Sequence, residues 1–129
     1  MAGVLVDTSV WVRHFRRTDP VLVNLLMTDE VLVHPLVLLE VACGTPPAPR
    51  SRTLSFLGQL GQTAIATPDE TLALIERKRL FDKGCGAVDI SLLASALLTP
   101  GASLWTHDRP LQALAVRLGV AFRPTTGVL

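Results

Sequence analysis

The chain has 129 residues, of which 49% are hydrophobic and 18% are charged, and its formal net charge at pH 7 is +1. This length favours a single domain spanning residues 1–129, while a nearly neutral total says little about nucleic acids because it can hide a local basic patch. The two cysteines are too few for a disulfide framework and lack zinc-ligand spacing, which makes metal binding by thiolate improbable. Neither a signal peptide nor an apolar run of bilayer length is present, so we expect a cytoplasmic protein without a membrane partner.

Short apolar runs, typical of strands buried in a parallel sheet, alternate along the chain with longer segments of helical periodicity. The first apolar run ends at Asp7, and one helix begins with Pro35 and ends at Gly44. Predicted strands cover residues 3–6, 31–34, 63–66, 102–105 and 120–122, and predicted helices cover residues 8–17, 20–28, 35–43, 51–60, 68–81, 87–98 and 109–118. This order predicts an α/β sandwich with a mainly parallel sheet, in which ligands collect beyond the carboxyl ends of the strands.

Four acidic residues stand out because each lies in a stretch otherwise rich in apolar residues: Asp7, Glu40, Asp89 and Asp108. The three aspartates stand at or near predicted helix N-termini, where a carboxylate caps free amides and complements the helix dipole. Capping is therefore the simpler interpretation of each aspartate considered alone. Glu40 and Asp89 fit that interpretation less well, because helical spacing places both on faces of their helices that should enter the core.

A buried carboxylate needs a partner, and a buried salt bridge could satisfy Glu40 or Asp89 alone. Such pairs do not explain all four acids. If the fold gathers them, their repulsion is about 3 kcal/mol per pair at about 5 Å and an effective dielectric near 20, which a cation would offset. Oxygen ligands without a histidine cluster suit hard ions such as Mg²⁺ or Mn²⁺, and these ions support chemistry on phosphodiesters.

Four segments of the chain resemble PIN-domain ribonucleases, and most of all the VapC toxins: VLVDTSVWV, LLEVACG, GCGAVDISLLASAL and LWTHDRPLQALAVRLGV. Each motif alone is weak, but the order and spacing of the acids are specific in combination. The resemblance runs from Val4 to Val120. The departures are His107, where the family often has a basic residue, and a proline-rich linker at residues 45–49.

The resemblance implies a compact three-layer α/β/α sandwich and a metal-dependent endoribonuclease that acts as the toxin of a type II toxin–antitoxin pair. By position, the implied catalytic and metal-binding acids are Asp7, Glu40, Asp89 and Asp108. In that family a water activated by the metal ion, Mg²⁺ or Mn²⁺, cleaves RNA, and a cognate VapB-like antitoxin blocks the site. Homodimers are usual, and both partners fit the high apolar content of this chain.

Several residues near these acids are candidates for contact with the substrate: Thr8, Ser9, Thr106 and Arg109. For Thr8 a helix cap is the simpler role, and Arg109 could equally hold a carboxylate or contact phosphate. Two basic clusters, at residues 13–17 and 77–79, are each interpreted most simply as solvated helix faces. Contact of either cluster with RNA stays open.

Rival interpretations are weaker. The segment from Gly84 to Asp89 begins like a dinucleotide fingerprint but ends in an aspartate and has no strand before it. A haloacid-dehalogenase phosphatase would have a second aspartate where this chain has Ser9. A receiver domain would need an early acidic pair and a late lysine that are absent from the corresponding strand ends. The remaining alternative is a catalytically inactive PIN-fold module for binding or assembly, which the presence of all four acids disfavours.

Overall fold

Four short strands form one parallel sheet at the centre of the molecule. The computed structural model describes residues 3–124 of the chain. The strands are β1 (Val4–Val6), β2 (Val31–Val33), β3 (Gly61–Gln62) and β4 (Ser103–Trp105). They lie in the order β3-β2-β1-β4, and every neighbouring pair is parallel. Because helices cover both faces of the sheet, every residue of β1 is buried and Leu32 is the one partly buried residue of β2, as the short unbroken apolar runs predicted.

Helices cover both faces of this sheet. Within residues 3–124 they are α1 (Thr8–Arg16), α2 (Pro20–Met27), α3 (Pro35–Cys43), α4 (Arg50–Gly58), α5 (Pro68–Lys78), α6 (Ala87–Leu98) and α7 (Arg109–Arg117). Right-handed crossovers put the helices before β3 on one face and those after it on the other. Contacts agree with this assignment, since α3 touches α1 and α4 while α6 touches α5 and α7. The predicted α/β/α sandwich with a parallel sheet is therefore confirmed.

The predicted third strand is wrong in its position. We expected it at residues 63–66, but β3 covers Gly61–Gln62, and pairing with β2 ends when the amide of Thr63 donates to the Val33 carbonyl, 3.3 Å away. The next segment turns towards α6 and donates two backbone amides to side-chain hydroxyls of that helix, at 2.9 and 3.1 Å. These tertiary hydrogen bonds replace the ladder that local sequence preference favours.

The predicted final strand at residues 120–122 is reduced to a single parallel bridge. Leu104 of β4 faces Ala121, its amide donates to the carbonyl of Val120 over 2.7 Å, and its carbonyl accepts from the amide of Phe122 over 2.9 Å. This segment therefore covers the free edge of β4 with only two hydrogen bonds. No helix in the described part of the chain is long and apolar enough to cross a membrane.

The strand order places a switch point between β1 and β4. From β1 the chain proceeds to β2 and β3 on one side, and then returns across the sheet to add β4 on the other side of β1. Helices leave these two strand ends in opposite directions, which opens a crevice beyond their carboxyl ends. Asp7 directly follows β1, and Thr106 directly follows β4. The topology thus brings Asp7, near the start of the chain, and Thr106, near its end, to one place.

Candidate active site

Asp7 occupies the crevice from the β1 side, and its side chain is only 5% exposed. Although it stands at the N-cap position of α1, its carboxylate makes no capping hydrogen bond. Its Oδ2 atom instead accepts hydrogen bonds from Ser9 Oγ and Thr106 Oγ1, each over 2.7 Å. The structure therefore replaces the capping interpretation of this residue with a buried carboxylate that two hydroxyls hold in place.

Asp108 lies beside Asp7 because the turns after β1 and β4 are tied together. The hydroxyl of Thr106 also accepts the amide of Asp108 over 3.0 Å, and Ser9 Oγ accepts the amide of His107 over 3.0 Å. Asp108 caps α7 through Oδ2, which accepts the amide of Leu111 over 3.1 Å. The capping interpretation of Asp108 is correct, and the cap fixes the carboxylate next to the crevice.

Glu40 reaches the same region from α3. Its Oε1 accepts a hydrogen bond from Thr8 Oγ1 over 2.6 Å, which links α3 to the first turn of α1. The expectation that Glu40 faces the core is wrong, because Val37 and Val41 form the buried stripe of α3 and Glu40 lies exposed on its flank. A carboxylate at the rim stays hydrated and needs no buried salt bridge.

Asp89 lies half-buried in the first turn of α6, where its Oδ2 accepts the amide of Gly86 over 3.3 Å. Ligand atoms of Asp89, Asp108 and Cys85 lie within 4.8 Å of one another. Cys85 was missed by the sequence interpretation, which set both cysteines aside. Its position four residues before Asp89, between two glycines in the turn before α6, was the signal available in the sequence.

The electrostatics show that the four acids share one field. Burial, and then the negative charges of Asp7, Asp108 and Glu40, raise the pKa of Asp89, and only the hydrogen bond from the Gly86 amide opposes them. Within residues 3–124, no cation contributes to that balance. Burial, Asp89 and Asp108 likewise raise the pKa of the Cys85 thiol to about 11. The cluster therefore has an excess of negative charge that a bound cation would relieve.

The donor atoms present suit a hard divalent ion. All the hydrogen bonds that the three site aspartates accept within residues 3–124 use Oδ2. Oδ1 of each of these carboxylates therefore remains available to a metal ion, and so does Oε2 of Glu40. Mg²⁺ and Mn²⁺ prefer such oxygen atoms together with water. The residues present therefore fit a metal centre of this kind.

The hydroxyls predicted to touch substrate are engaged with the acids. Thr8 holds Glu40, while Ser9 and Thr106 hold Asp7 and lie 3.3 Å from each other. Arg109 is exposed at the first position of α7, directly after Asp108. The hydroxyls of the other three residues serve first to orient carboxylates. Of these four residues, Arg109 is thus the one whose side chain is free to meet a phosphate.

A groove of about 490 Å³ adjoins the acidic cluster and shares Glu40 with it. Its walls come from α1 and α3 and from the proline-rich linker after α3, and they include Phe15, Arg16 and Pro46. Arg16, a member of the basic cluster at residues 13–17, thus lies beside the candidate site. The other cluster borders a separate cavity of about 590 Å³ between α5, α6 and α7, through Arg77 and Lys78.

Comparison with known proteins points to one group of related chains. The family model of the PIN domain matches residues 4–116. Two curated relatives, both called Ribonuclease VapC32, come from Mycobacterium tuberculosis strains CDC 1551 / Oshkosh and ATCC 25618 / H37Rv. Each is 48% identical over 118 residues, which cover 92% of this chain and 94% of the relative. The match thus extends over all four segments that carry the acids.

Proposed function

This chain belongs to the PIN-domain family, among the VapC ribonucleases, and we propose that Asp7, Glu40, Asp89 and Asp108 hold the divalent metal ion with which it cleaves RNA. The observation that supports this proposal most is the convergence of the four carboxylates at the crevice, where burial, and then the charges of Asp7, Asp108 and Glu40, raise the pKa of Asp89. Four acids that repel one another at a sheet switch point form a poor structural element. They form a good site for a cation.

Each acid has a distinct means of support. Ser9 and Thr106 fix the orientation of Asp7 from two sides, and Thr8 anchors Glu40 at the rim. Asp108 is held by the cap of α7. Such fixed carboxylates need little reorganisation when a cation arrives. When bound, the divalent ion supplies the positive charge that offsets the scissile phosphodiester and polarises the attacking water.

The ion is proposed to be Mg²⁺ or Mn²⁺, because the four acids offer only oxygen ligands. Asp89 gives up any remaining proton when the cation binds, since a positive charge reverses the field that raises its pKa. Arg109, exposed beside Asp108, is proposed to contact a phosphate of the RNA near the cut. Its guanidinium would position the backbone next to the acids.

Two protein partners are proposed. A VapB-like antitoxin accompanies VapC proteins, and the groove beside Glu40 suits a segment that blocks the acidic cluster. A homodimer is supported by large apolar side chains that lie exposed on helices of one face of the sheet, Met27 of α2 at 81% and Leu39 of α3 at 59%. An apolar surface of this kind is typical of protein interfaces.

The test of the metal site is Asp7→Asn. Removing one of four repelling charges should leave the apo protein folded, as judged by circular dichroism. Mn²⁺-dependent cleavage of a panel of tRNA, rRNA and mRNA should fall by at least about 100-fold, because a metal site supplies several kcal/mol of transition-state stabilisation. Asp69→Asn, an exposed acid of α5, is the control and should keep wild-type cleavage. Normal cleavage by Asp7→Asn would refute the mechanism, and a wild-type chain that never cuts RNA would favour an inactive binding module.

A further inference from the structure

Cys85 lies in the acidic cluster, and in the sequence it precedes Asp89 by four residues at the start of the segment GCGAVDISLLASAL. Gly84, at φ +82°, turns the chain before α6, and a Cβ built on it would meet Pro110 of α7 at 3.4 Å. This close approach packs the turn against the start of α7. The thiol consequently lies with oxygen atoms of Asp89 and Asp108, all within 4.8 Å of one another.

We propose that Cys85 acts with Asp89 and Asp108 as a ligand of a thiophilic divalent ion, of which Zn²⁺ is the biologically common example. This inference rests on the proposed function, because it places the zinc ion in the cluster assigned to Mg²⁺ or Mn²⁺. Asp7, more than nine-tenths buried at the same crevice, adds its negative charge to the field at Asp89. The site therefore takes two classes of metal ion, and the thiol decides between them.

One sulfur and two carboxylate oxygens as ligand atoms explain why this position prefers Zn²⁺ to Mg²⁺ or Mn²⁺. Zn²⁺ binds thiolate at about 2.3 Å and carboxylate oxygen at about 2.1 Å, so small side-chain rotations bring the three ligand atoms onto one ion. Mg²⁺ gains nothing from sulfur, whereas affinity for zinc exceeds that for manganese at almost any site with nitrogen, oxygen or sulfur donors. Zinc at this position would hold Asp89 and Asp108 and exclude the hard ion from them. Cleavage supported by Mg²⁺ or Mn²⁺ is then inhibited by zinc.

The proton balance is simple. Coordination replaces the S–H bond of Cys85 by a bond from sulfur to the metal, and the released proton passes to the buffer. An ordinary cysteine thiol is protonated near neutral pH, so one proton is released for each ion that the thiol binds.

The chain offers a matched control, because its other free cysteine, Cys43, is exposed at the end of α3. We would titrate wild type, Cys85→Ser and Cys43→Ser with Cd²⁺ and follow the ultraviolet charge-transfer band of a cadmium–thiolate bond. Calorimetry would give the Zn²⁺ affinities. Wild type and Cys43→Ser should show the band, Cys85→Ser should lose it, and Zn²⁺ affinity of Cys85→Ser should fall at least about tenfold, the least that loss of a supporting ligand costs.

A band retained in Cys85→Ser, or equal Zn²⁺ affinity in Cys85→Ser and wild type, would overturn the inference. If that variant does not fold, alkylation of the wild-type protein replaces it, since bound Zn²⁺ should protect Cys85 but not Cys43 from iodoacetamide. Equal labelling of both thiols with and without Zn²⁺ would also overturn it. Mn²⁺-dependent cleavage by wild type tests the proposed function separately, because that activity does not require zinc to bind.

Discussion

At the scale of single residues, two hydroxyl groups decide whether the aspartate at the start of α1 caps the helix or faces the candidate site. Asp7 has the position of an N-cap, yet Ser9 and Thr106 take its Oδ2 and leave the first amides of α1 without that cap. An unfilled cap costs about 1 kcal/mol of helix stability. The hydrogen bonds from the two hydroxyls offset part of this cost and keep the carboxylate directed away from the helix.

Asp89→Asn should make the metal-free protein more stable at pH 7. The pKa of Asp89 is raised in the folded state, so the folded chain holds this proton more tightly than the unfolded chain does. Its contribution to stability is present below about pH 3.9 and is lost as the pH rises through the folded pKa. Thermal unfolding in EDTA should therefore show a higher Tm for Asp89→Asn than for wild type.

The same variant should respond less to metal. Mn²⁺ should raise the Tm of wild type by mass action, but the gain in Asp89→Asn should be much smaller because one ligand has lost its charge. Glu76→Gln, an exposed acid of α5, should stay within about 0.5 kcal/mol of wild type with and without Mn²⁺. A lower Tm of Asp89→Asn in EDTA would contradict the repulsion argument.

At the scale of elements, the alternation of strands and helices was readable from the sequence, while the short third strand was not. Apolar runs such as residues 4–6 identify buried strands because no other element of that length hides every side chain. In β3 both residues are exposed, so no such pattern marks it. Where the chain leaves the sheet is decided by hydroxyls of Ser95 and Thr99, some 30 residues away.

The candidate site was likewise predicted in part from the sequence and in part missed. The ends of predicted strands singled out Asp7 and Asp108, because such ends meet at one edge of a parallel sheet, and the apolar stripe of its helix singled out Asp89. The face of Glu40 was predicted wrongly, since α3 buries a stripe centred on Val37 and Val41 and the glutamate lies one step around the helix. Cys85 was missed because the packing of a turn against α7 brings it to the acids.

Thr63, directly after β3, offers a test of how a buried hydroxyl without a partner affects stability. Thr63 is 6% exposed, and its hydroxyl has no hydrogen-bond partner within residues 3–124. Thr63→Val keeps the shape and removes the unpaired hydroxyl, so the free energy of unfolding should rise by about 1 kcal/mol. Urea unfolding monitored by tryptophan fluorescence suits this measurement, because Trp11 and Trp105 are both buried.

Thr71→Val is the matched control for that change. Thr71 is 7% exposed, but its hydroxyl donates to the carbonyl of Thr67 over 2.9 Å in the first turn of α5. Losing this hydrogen bond should lower the free energy of unfolding by about 1 kcal/mol. A loss of stability in both variants, or a gain in both, would show that hydrogen bonding does not decide the effect.

At the scale of the whole molecule, one buried histidine joins three parts of the fold. His34, at the end of β2, accepts the amide of Leu36 on Nδ1 over 3.0 Å, so its neutral form carries the proton on Nε2 and donates to Ser95 Oγ over 3.1 Å. Ser95 of α6 also accepts the amide of Ala66, over 3.1 Å. The sheet, α6 and the segment after β3 therefore meet at one hydroxyl.

This junction should make the fold sensitive to acid. Burial lowers the pKa of His34 below its usual 6.5, so its contribution to stability is present above that pH and is lost as the pH falls towards the folded pKa. Between pH 7.5 and 5.5 wild type should lose stability at up to about 1.4 kcal/mol per pH unit. His34→Gln should flatten this slope, while His107→Gln, at an exposed position, should keep it.

The order of the strands also has a consequence for synthesis. Asp7 and the Thr106 hydroxyl that holds it are 99 residues apart in the chain, and β1 has no neighbour on one edge until β4 has been made. Chains leave the ribosome N-terminus first. A nascent chain therefore carries Asp7 for most of its elongation without the residues that complete the acidic cluster. The acidic cluster is thus assembled only late in synthesis, after residue 108 has emerged from the ribosome.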